Sequence, residues 1–194
     1  MEISATKGKK DLKDLFGSAD SLIYDPAVQA IVKGGTLTLT PTYDFPVMLD
    51  SLSIEWGDPS ITHIKIIGLA GDWYMDATPG DGSISFTVLS KDKNVLKSAF
   101  GDSAVDDTVK VKIGTDTYNA TGVAMDLHKV TGTFAIRNKE HDQILIISGA
   151  EMYASPTYAK DNKMFAVKFT GSIVADGESL NLIWAKDSDK IKSA

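Results

Sequence analysis

Few residues in this chain have the types and spacing that chemistry requires. The three histidines, His63, His128 and His141, fit neither H-E-x-x-H nor H-x-x-E-H. That spacing puts two imidazoles on one metal, so each histidine reads as a surface strand or loop residue. The carboxylates Asp106-Asp107 and Asp187/Asp189 are too few for a calcium loop, which needs six or more oxygens at set positions. They read as turn and solvent-facing acids. No G-x-S-x-G nucleophile elbow occurs. Gly68-Leu69-Ala70-Gly71 is not followed by Lys-Ser/Thr and does not match a dinucleotide fingerprint, so it reads as a turn. Asn119-Ala120-Thr121 matches a glycosylation sequon, but no secretory signal precedes it, and it reads as coincidence. With no cysteine, disulfides, thiolate metal sites and thiol nucleophiles are excluded together. The expectation is a protein without catalysis, cofactor or metal.

The aromatics carry more. Trp56 and Trp184 fall on strand patterns and are expected in the core. Trp73 and Tyr74 fall in a Gly/Asp-rich stretch. An exposed pair there would serve as a contact hot spot or a sugar-stacking platform, and the contact reading is the better fit to an assembling chain.

The elements that must position these residues are mostly strands. Apolar residues alternate with polar ones at Leu37/Leu39, Leu52/Ile54/Trp56, Ile64/Ile66, Ile84/Phe86/Val88, Val109/Val111/Ile113, Val123/Met125/Leu127, Phe134/Ile136, Phe165/Val167/Phe169 and Leu180/Leu182/Trp184. Ile144 to Ile147 is continuously apolar, which predicts a strand covered on both faces. Turn residues punctuate these runs at Asp44-Phe45-Pro46, Gly57-Asp58-Pro59, Pro79-Gly80-Asp81-Gly82, Gly114-Thr115-Asp116 and Asp176-Gly177. One helix follows Leu89, with Ser90 as the expected N-cap, a stripe of Val95, Leu96, Ala99 and Phe100, and Gly101 as its stop.

The fold expected is mainly β, a β-sandwich or barrel with one short flanking helix. Residues 1–35 differ in pattern. Lys9 to Phe16 has the spacing of a short amphipathic helix. Ser21 to Lys33 is either a helix starting at Pro26 with Asp25 as its cap, or an extended arm. The division expected is an N-terminal arm or helical segment at 1–35, a β domain at 36–186 and a flexible tail at 187–194.

The length, 194 residues, suits one domain with a good core, and 43% hydrophobic residues suit a folded chain. The net charge is −6, and Arg137 is the single arginine. Specific readers of nucleic acid lean on arginine for bidentate contacts, so such a role is disfavoured. An acidic wall that lets DNA slide past is compatible with the charge. The polar start and the lack of a ~20-residue apolar run predict a soluble protein made in the cytoplasm, with no membrane partner.

The order strand (Ile64 to Gly68), loop with Trp73, strand (Ser83 to Leu89), then Ser90-Lys91-Asp92 leading into Val95-Leu96 and closed by Phe100-Gly101, resembles the major tail tube protein of long-tailed phages and prophages. Met164-Phe165-Ala166-Val167-Lys168-Phe169-Thr170-Gly171 followed by Leu180 to Trp184 is similar to the closing strands of that family. The resemblance covers residues 36–185 and extends to the inner tubes of contractile injection systems. It implies homohexameric rings whose sheets join into a continuous inner wall, stacked into a tube in the virion tail through which DNA passes without specific binding. Tail terminator, tail tip and tape measure proteins are the further partners it implies. The Ile67 to Gly82 loop, with Asp72, Trp73, Tyr74 and Asp81, and the N-terminal arm are then the candidate contacts between rings or subunits. The alternative from a different class is a monomeric β-sandwich that binds a carbohydrate or protein ligand through Trp73 and Tyr74.

Overall fold

A computed structural model describes residues 18–27, 34–48, 50–68, 70–159, 164–174 and 180–186. The chain is mainly β: strands β1 (Ala19–Asp25), β2 (Tyr43–Phe45), β3 (Ser53–Trp56), β4 (Ser60–Ile64), β5 (Tyr74–Thr78), β6 (Gly82–Val88), β7 (Val105–Ile113), β8 (Asp116–Val123), β9 (Lys129–Asn138), β10 (Gln143–Ala159), β11 (Met164–Ile173) and β12 (Leu182–Lys186), with one helix, α1 (Lys93–Phe100), between β6 and β7. Eight strands form one curled antiparallel sheet in the order β2-β1-β9-β10-β11-β6-β3, with β12 also on β10. β4-β5 and β7-β8 are separate two-stranded ribbons.

The concave face of the curled sheet holds the core. Leu22 and Tyr24, Phe134 and Ile136, Val167 and Phe169, and Ile84, Phe86 and Val88 are buried two residues apart, and Ile147 and Met152 are buried on either side of the register shift in β10. Phe86 and Phe169 stack at 5.0 Å between centroids, Tyr24 and Phe134 also at 5.0 Å, and Phe45 lies 5.9 Å from Phe169. Offset stacks of this kind add attraction beyond the burial of area. The segment from Tyr43 to Met48 draws the two ends of the sheet together. Tyr43 to Phe45 pair with β1, whereas Leu89 N–H donates to the Pro46 carbonyl and Met48 N–H donates to the Thr87 carbonyl at 2.8 Å. Proline has no N–H to give, and it sits where the segment changes partner.

α1 covers part of this core. Its stripe of Val95, Leu96, Ala99 and Phe100 is buried as the spacing predicts. The cap differs from expectation: the Asp92 carboxylate, not the Ser90 hydroxyl, accepts from Asn94 N–H at 2.8 Å. Ser90 Oγ instead accepts from Asp92 N–H at 3.0 Å and so orients the cap. At the other end Gly101 N–H donates to the Lys97 carbonyl.

β10 is long because it serves two partners on one edge. Residues 143–147 pair with β12 and residues 150–159 with β11, while β9 lies along the other edge. The break falls at Ser148-Gly149. Asn181 bridges it by donating from its amide to the carbonyls of Ser148 (3.3 Å) and Val174 (2.9 Å). Ile146 and Ile147 are both buried, in line with a strand covered on both faces.

Several expectations need correction. Asp44-Phe45-Pro46 is not a turn: Tyr43–Phe45 is strand, and Phe45 is a core residue. Residues 35–42, where Leu37 and Leu39 alternate with threonine, form no strand. The strand expected around Val123, Met125 and Leu127 lies earlier, at Asp116–Val123, and Met125 and Leu127 are exposed in the connection that follows. Trp56 and Trp184, expected in the core, are 46% and 61% exposed, because their strands sit at sheet edges. Within the segment expected as an N-terminal arm, Ala19–Asp25 is a strand between β2 and β9. Asp25 caps the bend after it, accepting from Ala27 N–H (2.9 Å) and Thr40 N–H (2.7 Å). The helix expected at Lys9 to Phe16, most of the one expected from Pro26, and the tail at 187–194 lie outside the described residues.

Tyr24 supplies a pH prediction. Burial first, then the neighbouring Asp25 and Tyr43, push its phenol up to about 12 from an ordinary 10. Its hydroxyl donates to the Thr131 carbonyl at 2.9 Å. The folded state therefore holds this proton where the unfolded chain has released it. Its contribution is complete below pH 10 and is lost as pH rises through 10 toward 12. Urea midpoints measured from pH 9 to 12 should fall over that interval, and fall less steeply in Tyr24→Phe. Equal slopes in the two proteins would contradict the assignment.

Candidate functional site: two uncovered hairpins

β4 and β5 form a hairpin inserted between Trp56 and Gly82, residues that face each other across the β3–β6 pair. Its root is tight. Gly57 N–H donates to the Asp81 carbonyl at 3.0 Å, and a Cβ added at Gly80 would lie 2.0 Å from the Gly57 carbonyl oxygen. Only glycine fits that crossing. Register pairs Ile61 with Ala77, His63 with Met75 and Ile64 with Tyr74. Every residue of both strands is exposed.

The four residues singled out from the sequence divide. Asp72, Trp73 and Tyr74 lie together where the hairpin returns. Trp73 N–H donates to the Ile64 carbonyl at 2.8 Å, which fixes the start of β5. Asp72 lies 2.5 Å from His63 Nδ1, a hydrogen bond, and 3.9 Å from Lys65 Nζ, so it ties the return of the hairpin to β4. The aromatic rings are free of the fold, with Trp73 64% exposed. Asp81 is not with them: it lies at the root, where its backbone holds Gly57. The stretch Ile67 to Gly82, expected as a loop, contains β5.

Sequence reading missed the rest of the surface. Ile61, Ile64, Ile66, Ile67 and Met75 are also exposed on this arm. The second ribbon, β7-β8, repeats the situation. Val111 pairs with Tyr118, Val109 with Ala120 and Ile113 with Asp116. Alternation puts Val109, Val111, Ile113, Asp116, Tyr118 and Ala120 on one face, and Lys110, Lys112, Thr117 and Asn119 on the other. Val111, Ile113 and Tyr118 are exposed. The strand pattern was read correctly here; Val105 is buried and Val109, Ala120 and Val123 are half-buried near the ribbon's root, but its outer end is uncovered. The signal for an inserted hairpin was present at β4-β5 in the matched breaks Gly57-Asp58-Pro59 and Pro79-Gly80-Asp81-Gly82, one at each root.

The rest of the molecule offers less chemistry. Among the described residues no three His, Asp or Glu side chains gather as metal ligands. A cleft of about 580 Å³ lies between the start of β1 and residues 47–52, with Asp20, Ser21, Asp50 and Lys139 in its wall. Its acid Asp20 is already engaged, at 2.8 Å from His141 Nε2 and 3.7 Å from Arg137 Nη2. Asp44, on the neighbouring strand, is raised by partial burial, opposed by Arg137 and reinforced by Asp20. These groups form a small charge cluster on the sheet's outer side. The Ser21 hydroxyl and Arg137 Nε, buried beside this cluster, have no hydrogen-bond partner among the described residues.

Comparison of the chain with protein-family models, with curated proteins and with solved structures finds no match.

Proposed function

We propose that the chain is a structural subunit that assembles with copies of itself, in the manner of a phage or prophage tail tube. One observation carries the reading. Two hairpins leave the sheet with apolar side chains uncovered and outer strand edges unpaired among the described residues. A monomer that kept them bare would carry an aggregation hazard, since open edges with apolar faces recruit other strands. Copies that complete one another's edges in a closed ring remove it. A net charge of −6 suits a channel wall that does not hold DNA. The partners are further copies, with rings stacked into a tube in the virion tail, and catalysis plays no part.

Negative-stain electron microscopy and light scattering across a concentration series test this. The expected result is rings or hollow tubes of uniform width, with scattering that rises above a threshold concentration. A protein that stays monomeric at every concentration, and whose Trp73 fluorescence responds to a glycan or peptide, would favour a ligand-binding module built on the exposed Trp73–Tyr74 pair.

A further inference from the structure

The two hairpins attach at opposite ends of β6: β4-β5 precedes Gly82, and β7-β8 follows Val88 by way of α1. Each has one strand edge on either side, giving four edges unpaired among the described residues. Side-chain chemistry separates these edges. On β5, Met75 and Ala77 lie on one face, with Tyr74, Asp76 and Thr78 on the other. On β7, Val109, Val111 and Ile113 lie on one face, with Lys110 and Lys112 on the other. The Asp76 carboxylate accepts from Ala77 N–H and has no ion-pair partner among the described residues, and neither Lys110 nor Lys112 has one.

From this we infer that the β5 edge of one copy pairs with the β7 edge of a second copy, making a four-stranded sheet β4-β5-β7-β8 across the interface. The inference rests on the self-assembly reading above and names the surface through which it acts. Laid side by side, these edges set Asp76 between lysines on one face and join Met75 and Ala77 to Val109, Val111 and Ile113 on the other. Opposite charges and apolar pairs across neighbouring strands each stabilise a sheet, and like charges destabilise it. The homotypic choices fail on that rule: β7 on β7 sets lysines against lysines, and β5 on β5 sets Asp76 against itself. Pairing β5 with β8 leaves Asp76 facing Thr117 and Asn119, with no charge partner. The arm from Gly57 to Asp81 is also within the roughly 20–30 residues a side that a standard interface uses. Since β5 and β7 are different surfaces of one chain, the contact is head-to-tail and propagates.

Charge exchange tests it. Asp76→Lys alone, or Lys110→Asp with Lys112→Asp, should raise the assembly threshold roughly tenfold or more. The triple variant carrying all three changes should assemble near the unmodified threshold, because the charges are exchanged and not removed. The chain has no cysteine, so cross-linking is clean. Met75→Cys or Ala77→Cys combined with Val109→Cys, Val111→Cys or Ile113→Cys should give, in at least one pairing, an oxidised ladder of multimers. Met75→Cys alone should give none. Unmodified protein that assembles while the triple variant does not, or disulfide dimers of Met75→Cys alone, would overturn the β5–β7 assignment and leave self-assembly standing. Unmodified protein that never assembles would overturn both.

Discussion

Phe86→Ala should cost about 3–5 kcal/mol of folding stability, the range for emptying a fully buried phenylalanine site. Phe86 has no exposed surface and touches three other rings: Phe169 in a stack at 5.0 Å, Phe134 edge-on at 5.6 Å and Phe45 at 6.3 Å. The ring sits where β6, β9, β11 and the Tyr43–Met48 segment converge, so its removal leaves a hole that no single side chain can fill. Net stabilities of domains are of order 5–15 kcal/mol, and such a loss would bring the protein near its unfolding threshold. Urea unfolding followed by tryptophan fluorescence measures it. Phe165→Ala is the control, since Phe165 is partly exposed on β11 beyond the end of β6, and its loss should be well under half as large. Equal losses at the two positions would mean that the aromatic stack is not the centre of the core.

Gly171→Ala should be almost as damaging, about 3 kcal/mol, although alanine is the better residue for an ordinary strand interior. Gly171 pairs with Met152 in the β10–β11 ladder. A Cβ built there would lie 2.0 Å from the Glu151 carbonyl oxygen and 2.5 Å from Met152 Cα. Both obstacles are backbone, so neither can rotate away; the strands would have to part in the middle of the sheet. Gly71→Ala makes the comparison, because nothing lies within 4 Å of a Cβ at that position. The expected difference is large: a marked drop in melting temperature for the first and no drop for the second. A Gly171→Ala protein that melts with the unmodified one would show that the sheet yields there at little cost.

Legibility in the sequence followed the source of burial. β6 and α1 could be read directly because the same core buries both. The alternation Ile84, Phe86, Val88 and the stripe Val95, Leu96, Ala99, Phe100 each name the face that turns inward, and that face does turn inward. Val109, Val111 and Ile113 carry an equally clear alternation, but alternation states only that one face wants cover and not what provides it. The ribbon was therefore predicted correctly as strand, but only its root is half-buried, with Val111, Ile113 and Tyr118 exposed. Trp56 and Trp184 failed for the same reason, at the edges of the main sheet. Tyr43–Phe45 was lost to local chemistry: Asp44 and Pro46 are turn formers, and a three-residue strand pinned by long-range partners leaves too short a pattern to outweigh them. Of the candidate contact residues, Asp72, Trp73 and Tyr74 were legible as an exposed group. Ile61, Met75, Lys110 and Lys112 were not, since their meaning depends on which hairpin edge each occupies.

The place of β1 in the sheet also sets an order of events. The earliest strand among the described residues lies between β2 and β9, and the Tyr24 hydroxyl bonds to a carbonyl 107 residues further along. Closing a loop of that length costs about 4 kcal/mol in chain entropy. The β9 edge of β1 stays unpaired until Thr131 to Asn138 have been made, although Tyr43 to Phe45 can pair with its other edge much earlier. Synthesis runs at roughly 5–20 residues per second, so for several seconds Leu22 and Tyr24 have only β2 to cover them. Through that interval the two local hairpins can already form, because their strands are neighbours in sequence. The hairpin surfaces can thus form before the curled sheet that carries them is complete. On a polysome, where nascent copies sit close together, contact between copies could precede completion of any one of them.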